Sequence, residues 1–195
     1  MVGVEYDAII LAGGEARRLG GRDKPGLQVR GKPLVELVAA AVPQAARLVV
    51  VGPPRNLPGA ITTREDPPGG GPVPALRAGL AEVTAPYVAL LAGDLPFLRP
   101  EHVAALLRAA AGEDAPVRGG SAAGAVLVDD SGQAQWLAGV WRTAALRAAL
   151  AGYAGRSLRG VLAPLEPVRL ALPGEPWFDC DTMDDLRQAR QGEPG

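Results

Sequence analysis

Tyr6-Asp7-Ala8-Ile9-Ile10-Leu11-Ala12-Gly13-Gly14 decides the fold. Its apolar core has no polar alternation from Ala8 to Leu11, so it reads as a strand buried on both faces. The paired glycines turn the chain at its end. Strands buried on both faces belong to parallel sheets covered by helices. The same grammar recurs downstream. Leu48 to Val51 is a short strand closed by Gly52-Pro53-Pro54, and Ala60 to Arg64 reads as a third. Tyr87 to Leu91 is the strongest, ended by Gly93-Asp94-Leu95-Pro96. Between them, Leu34 to Val42 (after Pro33), Ala75 to Val83 and Pro100 to about Ala111 read as helices. Glu65 to Pro74 reads as a rigid loop. Strands alternating with helices through residue 111 predict a mostly parallel α/β sheet with helices on both faces.

The remainder reads as two strands, Ala125 to Val128 and Gln135 to Trp141, around the turn Asp129-Asp130-Ser131-Gly132. Helices follow over Arg142 to Leu150 and Ser157 to Leu162. Val168 to Leu172 is an edge strand, and Thr182 to Arg190 a last helix. With 195 residues, one domain over 1–191 is expected, with 192–195 frayed.

Composition narrows the function classes. Net charge is −1, which gives no global attraction to nucleic acid or to an anionic membrane. No apolar run is long enough to span a bilayer, and the first residues do not read as a signal peptide, so the cytoplasm is expected. The single cysteine, Cys180, forbids an intrachain disulfide. The single histidine, His102, lies in a helix as a surface residue and excludes a histidine-based triad. Of 20 lysines and arginines only Lys24 and Lys32 are lysines, and both follow the glycine turn. In a chain that writes its cations as arginine, a lysine marks a place where a compact point charge is required.

Ligands of parallel α/β sheets bind at the carboxyl ends of the strands. Leu11 to Gly14, Gly52 and Gly93-Asp94 should therefore share one rim, joined by Asp66 after the third strand. Gly13 and Gly14 let backbone amides approach an anion closely. Arg17, Arg18 and Lys24 add positive charge, so the loop suits a triphosphate. It is neither a Walker A loop nor Gly-x-Gly-x-x-Gly. A flexible glycine loop with solvated charges is the bland alternative. Asp94, at the tip of a buried strand, suits a divalent ion held against phosphate oxygens. Alternatively it caps the helix opened by Pro100. In Asp179-Cys180-Asp181-Thr182-Met183-Asp184-Asp185, Thr182 and Asp185 read as an imperfect capping box. Asp179 and Asp181 are left over and point to opposite sides if extended. Asp181 reads either as a second magnesium ligand opposite Asp94 or as a solvated carboxylate. Cys180 reads as a small buried residue, and Trp136, Trp141 and Trp177 as core or pocket walls. Arg156 and Arg159 read as a plain helix start or as cations for an anionic second substrate.

Taken together, these motifs resemble the Rossmann-like nucleotidyltransferases with a three-layer α/β/α fold. Leu11-Ala12-Gly13-Gly14 with Ala16-Arg17-Arg18, Gly20-Gly21 and Asp23-Lys24 is similar to the loop of the molybdenum cofactor guanylyltransferase family. Gly31-Lys32-Pro33-Leu34, Glu65-Asp66, Gly71-Pro72, Asp94-Leu95-Pro96, Leu137 to Trp141 and Arg156-Ser157-Leu158-Arg159 continue the resemblance over nearly the whole chain. It implies nucleotide contacts from Leu11, Ala12, Gly13 and Gly14, phosphate contact from Lys24, guanine-nucleotide binding by Asp66 and Mg2+ binding by Asp94. Gly14, where related pyrimidine enzymes carry a different loop, implies a purine. Three departures stand out: Gly52 where the family often has Asn, Val73-Pro74-Ala75 after Gly71-Pro72, and Asp181-Thr182 where it often has Asn-Thr.

The expected reaction is transfer of GMP from GTP to Mo-bound molybdopterin, with release of pyrophosphate. Asp94 and Asp181 hold Mg2+, while Lys24 and Arg18 offset charge on the leaving group. Molybdenum-insertion and molybdoenzyme-maturation proteins are the expected partners, with neither nucleic acid nor membrane. The alternatives are a molybdopterin cytidylyltransferase, a sugar-phosphate nucleotidyltransferase, or a non-catalytic nucleotide-binding protein.

Overall fold

The computed structural model describes residues 4–13, 24–113 and 122–192. The opening strand, β1 (Tyr6–Leu11), is buried at all six positions. It sits between β4 (Leu48–Val51) and β6 (Tyr87–Ala92), parallel to both. Strand β5 (Ala60–Thr63) extends this parallel half at one edge. On the other side β8 (Ala134–Arg142) runs antiparallel to β6 and to β7 (Gly124–Val128). The edge strand β9 (Val168–Leu170) pairs parallel with β7. The order is β5-β4-β1-β6-β8-β7-β9, so only β8 opposes the common direction.

Successive side chains of a strand face opposite ways, and both faces of this sheet are covered. Ala8 and Ile10 pack with α1 (Leu34–Ala40) and α3 (Pro100–Ala111). Ile9 and Leu11 pack with α2 (Pro72–Ala81), α4 (Thr143–Ala151) and α5 (Leu158–Leu162). The expected three-layer α/β/α arrangement is therefore the observed one. Near the glycine turn a two-stranded hairpin, β2 (Gln28–Val29) and β3 (Lys32–Pro33), packs with the last helix, α6 (Met183–Gln191).

Three local readings change. Pro72 to Pro74 belongs to α2 and not to the loop before it. Proline fits the first helical turn because its missing N–H has no partner there anyway. Ala12 to Gly31, rich in glycine and charge, reads from sequence as one long loop, but its described end holds a short 3-10 turn, Lys24–Gly26, and the β2–β3 hairpin. His102 is half-buried and structural: its Nδ1 accepts a hydrogen bond from the Arg99 backbone N at 3.1 Å, closing the start of α3. Burial of the imidazole and the nearby Arg99 charge lower its pKa against the opposing pull of Glu101. Among the described residues no helix is long and apolar enough to cross a membrane.

Candidate active site

Beyond the ends of the parallel strands, the chain is stitched together by backbone hydrogen bonds. Ala12 N donates to Val51 O at 2.8 Å, Gly93 N to Leu11 O at 3.0 Å and Gly52 N to Thr63 O at 2.9 Å. This aligns Leu11-Ala12-Gly13, Gly52 and Gly93-Asp94 along one rim, as expected. The packing explains Gly52. Its φ is +151°, and a Cβ there would lie 2.8 Å from the Ala12 carbonyl carbon and oxygen. No side chain fits without displacing the glycine turn. On the opposite side, a Cβ at Gly93 would meet Ala12 at 3.3 Å.

Arg55 was not singled out by sequence reasoning. Its Nη2 donates to Ala12 O at 3.1 Å, so it holds the first peptide of the turn from the β4 side. Its position after the Gly-Pro-Pro that closes β4 was the available signal.

Asp94 sits at the end of β6 and is only 9% exposed. It does not cap α3, whose start is closed by Arg99 and His102. Its backbone O accepts from Cys180 N at 3.3 Å, which ties the 179–182 segment to the rim. Cys180 is fully buried with Val29, Leu34, Phe97, Leu186 and Ala189. Burial and the surrounding carboxylates push its thiol pKa up to about 12, which removes it as a nucleophile at neutral pH. The anchored Cys180 leaves Asp179 and Asp181 to diverge, and they serve different places. Thr182 then starts α6 with a complete capping box: Thr182 Oγ1 accepts from Asp185 N at 3.1 Å, and Asp185 Oδ2 accepts from Thr182 N at 2.6 Å.

The centre of the site is Lys24. Its ammonium forms ion pairs with Asp94 Oδ2 and, at 2.5 Å, with Asp181 Oδ1. Burial alone would lower the Lys24 pKa, but attraction to both carboxylates outweighs burial and raises it. The ammonium is therefore a fixed cation at neutral pH. Asp179 has a raised pKa, first from loss of hydration and then from the neighbouring Asp181 and Asp94, with Lys24 opposing.

Two carboxylates converging on one cation offer hard oxygen donors, the donor chemistry of magnesium. Among the described residues no group of three His, Cys, Asp or Glu side chains could hold a metal by itself.

Of the residues read from sequence, Leu11, Ala12, Gly13, Lys24, Asp94 and Asp181 come together here. Asp66 is exposed, three residues beyond β5 at the far end of the rim. Lys32 is exposed in β3. Gly14, Arg17 and Arg18 lie outside the described residues. Arg156 and Arg159 are exposed on either side of Ser157, which caps α5. Trp141 is fully buried core, whereas Trp136 and Trp177 wall a cleft of about 270 Å³ together with Ala92, Leu95, Leu137 and Asp179.

Residues 8–169 match the family model of the MobA-like NTP transferase domain. The chain belongs to that family. It is a nucleotidyltransferase by this membership. A probable molybdenum cofactor guanylyltransferase from Mycobacterium avium is 34% identical over 96% of both chains. One from Methanosarcina acetivorans is 35% identical, but the match spans 55% of this chain and about half, 54%, of that protein. Among solved structures, molybdopterin-guanine dinucleotide biosynthesis protein A from Archaeoglobus fulgidus superposes with a TM-score of 0.64 at 24% identity, covering 95% of this chain and 97% of that one. At that identity the likeness speaks for the fold.

Proposed function

We propose that this family member transfers GMP from GTP to the terminal phosphate of Mo-bound molybdopterin, forming a guanine dinucleotide cofactor and releasing pyrophosphate in a Mg2+-dependent reaction. The observation that carries this reading is the Lys24 ammonium held between Asp94 and Asp181, beside the Leu11–Gly13 turn. The relatives along nearly the whole chain supply the choice of substrates.

An acceptor phosphate is already a nucleophile at neutral pH, so no general base is needed. Its oxygen forms a bond to the α-phosphorus as the bond to the β-phosphate oxygen breaks, and pyrophosphate leaves with that electron pair. Catalysis is then alignment plus charge neutralisation. Asp94 and Asp181 would hold the metal, which when bound screens the triphosphate and withdraws charge from its oxygens. Amides of the Leu11–Gly14 turn cradle phosphates. Lys24 and Arg18 offset the charge on departing pyrophosphate. Asp66 takes the guanine nucleotide. The setting we propose is the cytoplasm, in exchange with molybdenum-insertion and molybdoenzyme-maturation proteins.

Pyrophosphate release with each of the four NTPs, with and without molybdopterin, tests the reading. Release from GTP only when molybdopterin is present supports it. Release from CTP makes the chain a cytidylyltransferase. Release driven by a sugar phosphate instead moves it to that branch, and no release at all makes it a nucleotide-binding protein.

A further inference from the structure

We propose that Arg55 is a positioning residue for the nucleotide: by donating to Ala12 O it fixes the peptide between Ala12 and Gly13 so that the Gly13 N–H faces the side of Asp94 and Lys24, where the polyphosphate belongs. The inference deepens the transfer reading above and rests on its assignment of the turn amides to phosphates.

The peptides at the end of β1 show why a side chain is needed. The peptide between Leu11 and Ala12 is tied by main chain at both ends. Leu11 O accepts from Gly93 N at 3.0 Å on the β6 side, and Ala12 N donates to Val51 O at 2.8 Å on the β4 side. The next peptide, between Ala12 and Gly13, leaves the sheet. Along the β1–β4 ladder Ala8 N donates to Arg47 O, as Ala12 N does to Val51 O. In a parallel ladder a residue that donates to one position accepts from the position two further on. The rung due to Ala12 O is therefore residue 53. That residue is Pro53, which has no N–H. Arg55 Nη2 supplies the missing donor, at 3.1 Å from Ala12 O.

Direction follows from covalent geometry. A trans peptide is planar, so its C=O and N–H point opposite ways. With Ala12 O turned to β4 and Arg55, the Gly13 N–H is turned to the β6 side. Asp94 lies just beyond that strand, paired with the Lys24 ammonium. Gly13 is exposed, and among the described residues its N–H has no backbone acceptor. An anion drawn to Lys24 therefore meets the donor end of this peptide.

Packing does not hold that orientation. A Cβ at Gly13 would meet only Gly52 Cα at 3.7 Å and Val51 O at 3.9 Å, both ordinary contacts. Glycine itself allows backbone conformations on either side of the peptide turn. Were the peptide to turn over, the Ala12 carbonyl would present a partial negative charge to Asp94 and to phosphate oxygens. The Arg55 bond opposes this. It is charge-assisted, and so stronger than the neutral rung that it replaces.

Isothermal titration calorimetry in magnesium buffer, with GTP, inorganic tripolyphosphate and guanosine, tests the proposal. Arg55→Met keeps the stem and removes the donor. It should weaken GTP and tripolyphosphate about tenfold, the scale of one lost charged hydrogen bond, and leave guanosine within about twofold. The loss should persist up to about 0.5 M salt, where separated exposed charges are screened. Arg55→Lys keeps a cationic donor and should bind GTP within about threefold of the unaltered protein. Unchanged tripolyphosphate affinity in a folded Arg55→Met protein would overturn the proposal. An equal loss for guanosine would overturn it too, by assigning Arg55 to the base or to the general fold. So would a loss that vanishes in high salt, which makes Arg55 a distant charge. In the unaltered protein, tripolyphosphate should move the Gly13 amide proton downfield in an NMR titration. An unmoved Gly13 signal would overturn the proposal even where no variant folds. The two readings fail separately. Tripolyphosphate carries no base, so its loss in Arg55→Met, with pyrophosphate released from an NTP other than GTP, keeps Arg55 and removes the guanylyl reading. GMP transfer with an unchanged KM for GTP in Arg55→Met does the reverse.

Discussion

Lys24→Met is the most informative single change, because it removes a cation from between two carboxylates and leaves its apolar stem. Asp94 is 9% exposed, and the Lys24 and Asp181 side chains are 16% and 51% exposed. Deleting one partner of a fully buried ion pair costs about 3–5 kcal/mol, and the half-open Asp181 side discounts that to about 2 kcal/mol here. For a chain of this length that is a fall in Tm of about 4–8 °C without metal. Magnesium should then repair the variant, because the divalent ion takes over the place of the ammonium. At a concentration about 100-fold above its Kd it returns about 2.7 kcal/mol by mass action. In the unaltered protein the ion must displace Lys24 first, so its gain should be smaller. The Lys24 pKa is raised, so the stabilisation is fully present below the ordinary lysine value and fades only as pH rises through the higher folded value. The Tm difference between the two proteins should therefore stay constant from about pH 6 to 9. The assay is thermal unfolding by circular dichroism, in chelator and in magnesium. Equal magnesium gains in the two proteins would refute the shared position, and an undiminished Tm in chelator would refute the ion pairs. In turnover the same variant should lose about 10²–10³-fold in kcat, the scale of one lost charge-stabilising donor.

Asp94→Asn should abolish Mg2+-dependent pyrophosphate release in a folded protein. Asp181→Ala should raise the magnesium needed for half-maximal rate, and full activity at ordinary magnesium would leave Asp94 as the only protein ligand. Gly52→Ala forces a Cβ into the Ala12 backbone, with an expected stability cost of about 1–3 kcal/mol and weaker GTP binding in a titration. His102 has a lowered pKa, so its cap contributes above the ordinary value of 6.5 and is lost as pH falls through the lower folded value. His102→Ala should cost about 1 kcal/mol at neutral pH. That difference should vanish in mild acid, as read by urea unfolding at both pH values.

Much of this was legible in the sequence because the parallel half of the sheet is buried on both faces. β1, β4 and α3 fall at the expected residues, since apolar runs ended by glycine or opened by proline leave little choice. The β2–β3 hairpin was not legible, because two-residue strands carry no periodicity. The start of α2 was hidden because Pro72 and Pro74 signal both a loop and a first helical turn, and packing against β1 and β4 decides between them. Within the site, Asp94 and Lys24 were readable from their places at a strand tip and after a glycine turn. Arg55 acts through a backbone carbonyl, so its place after Gly-Pro-Pro is the one hint that the residue types give. The divergence of Asp179 and Asp181 was readable, but their destinations were not. Those depend on Cys180 being buried and on Asp94 O accepting its amide.

Strand direction separates two buried carboxylates of this chain, Asp7 and Asp94. Asp7 belongs to one buried apolar strand and Asp94 lies two residues beyond the end of another, and both are buried themselves. Asp7 lies at the amino end of β1, where its Oδ2 accepts from Thr84 N and Ala85 N at 2.7 and 2.9 Å. Those donors are fixed parts of the backbone and cannot leave, so Asp7 ties down the turn before β6. Asp94 lies at the carboxyl end of β6, and its partner is the end of a flexible lysine side chain. That partner can be exchanged for another cation at the cost of rotating a few single bonds. A buried carboxylate whose hydrogen bonds come from main-chain amides is committed to the fold. One paired with a movable ammonium can exchange that partner, which is why our proposal places the chemistry at the rim beside Asp94 and not at the more deeply buried Asp7.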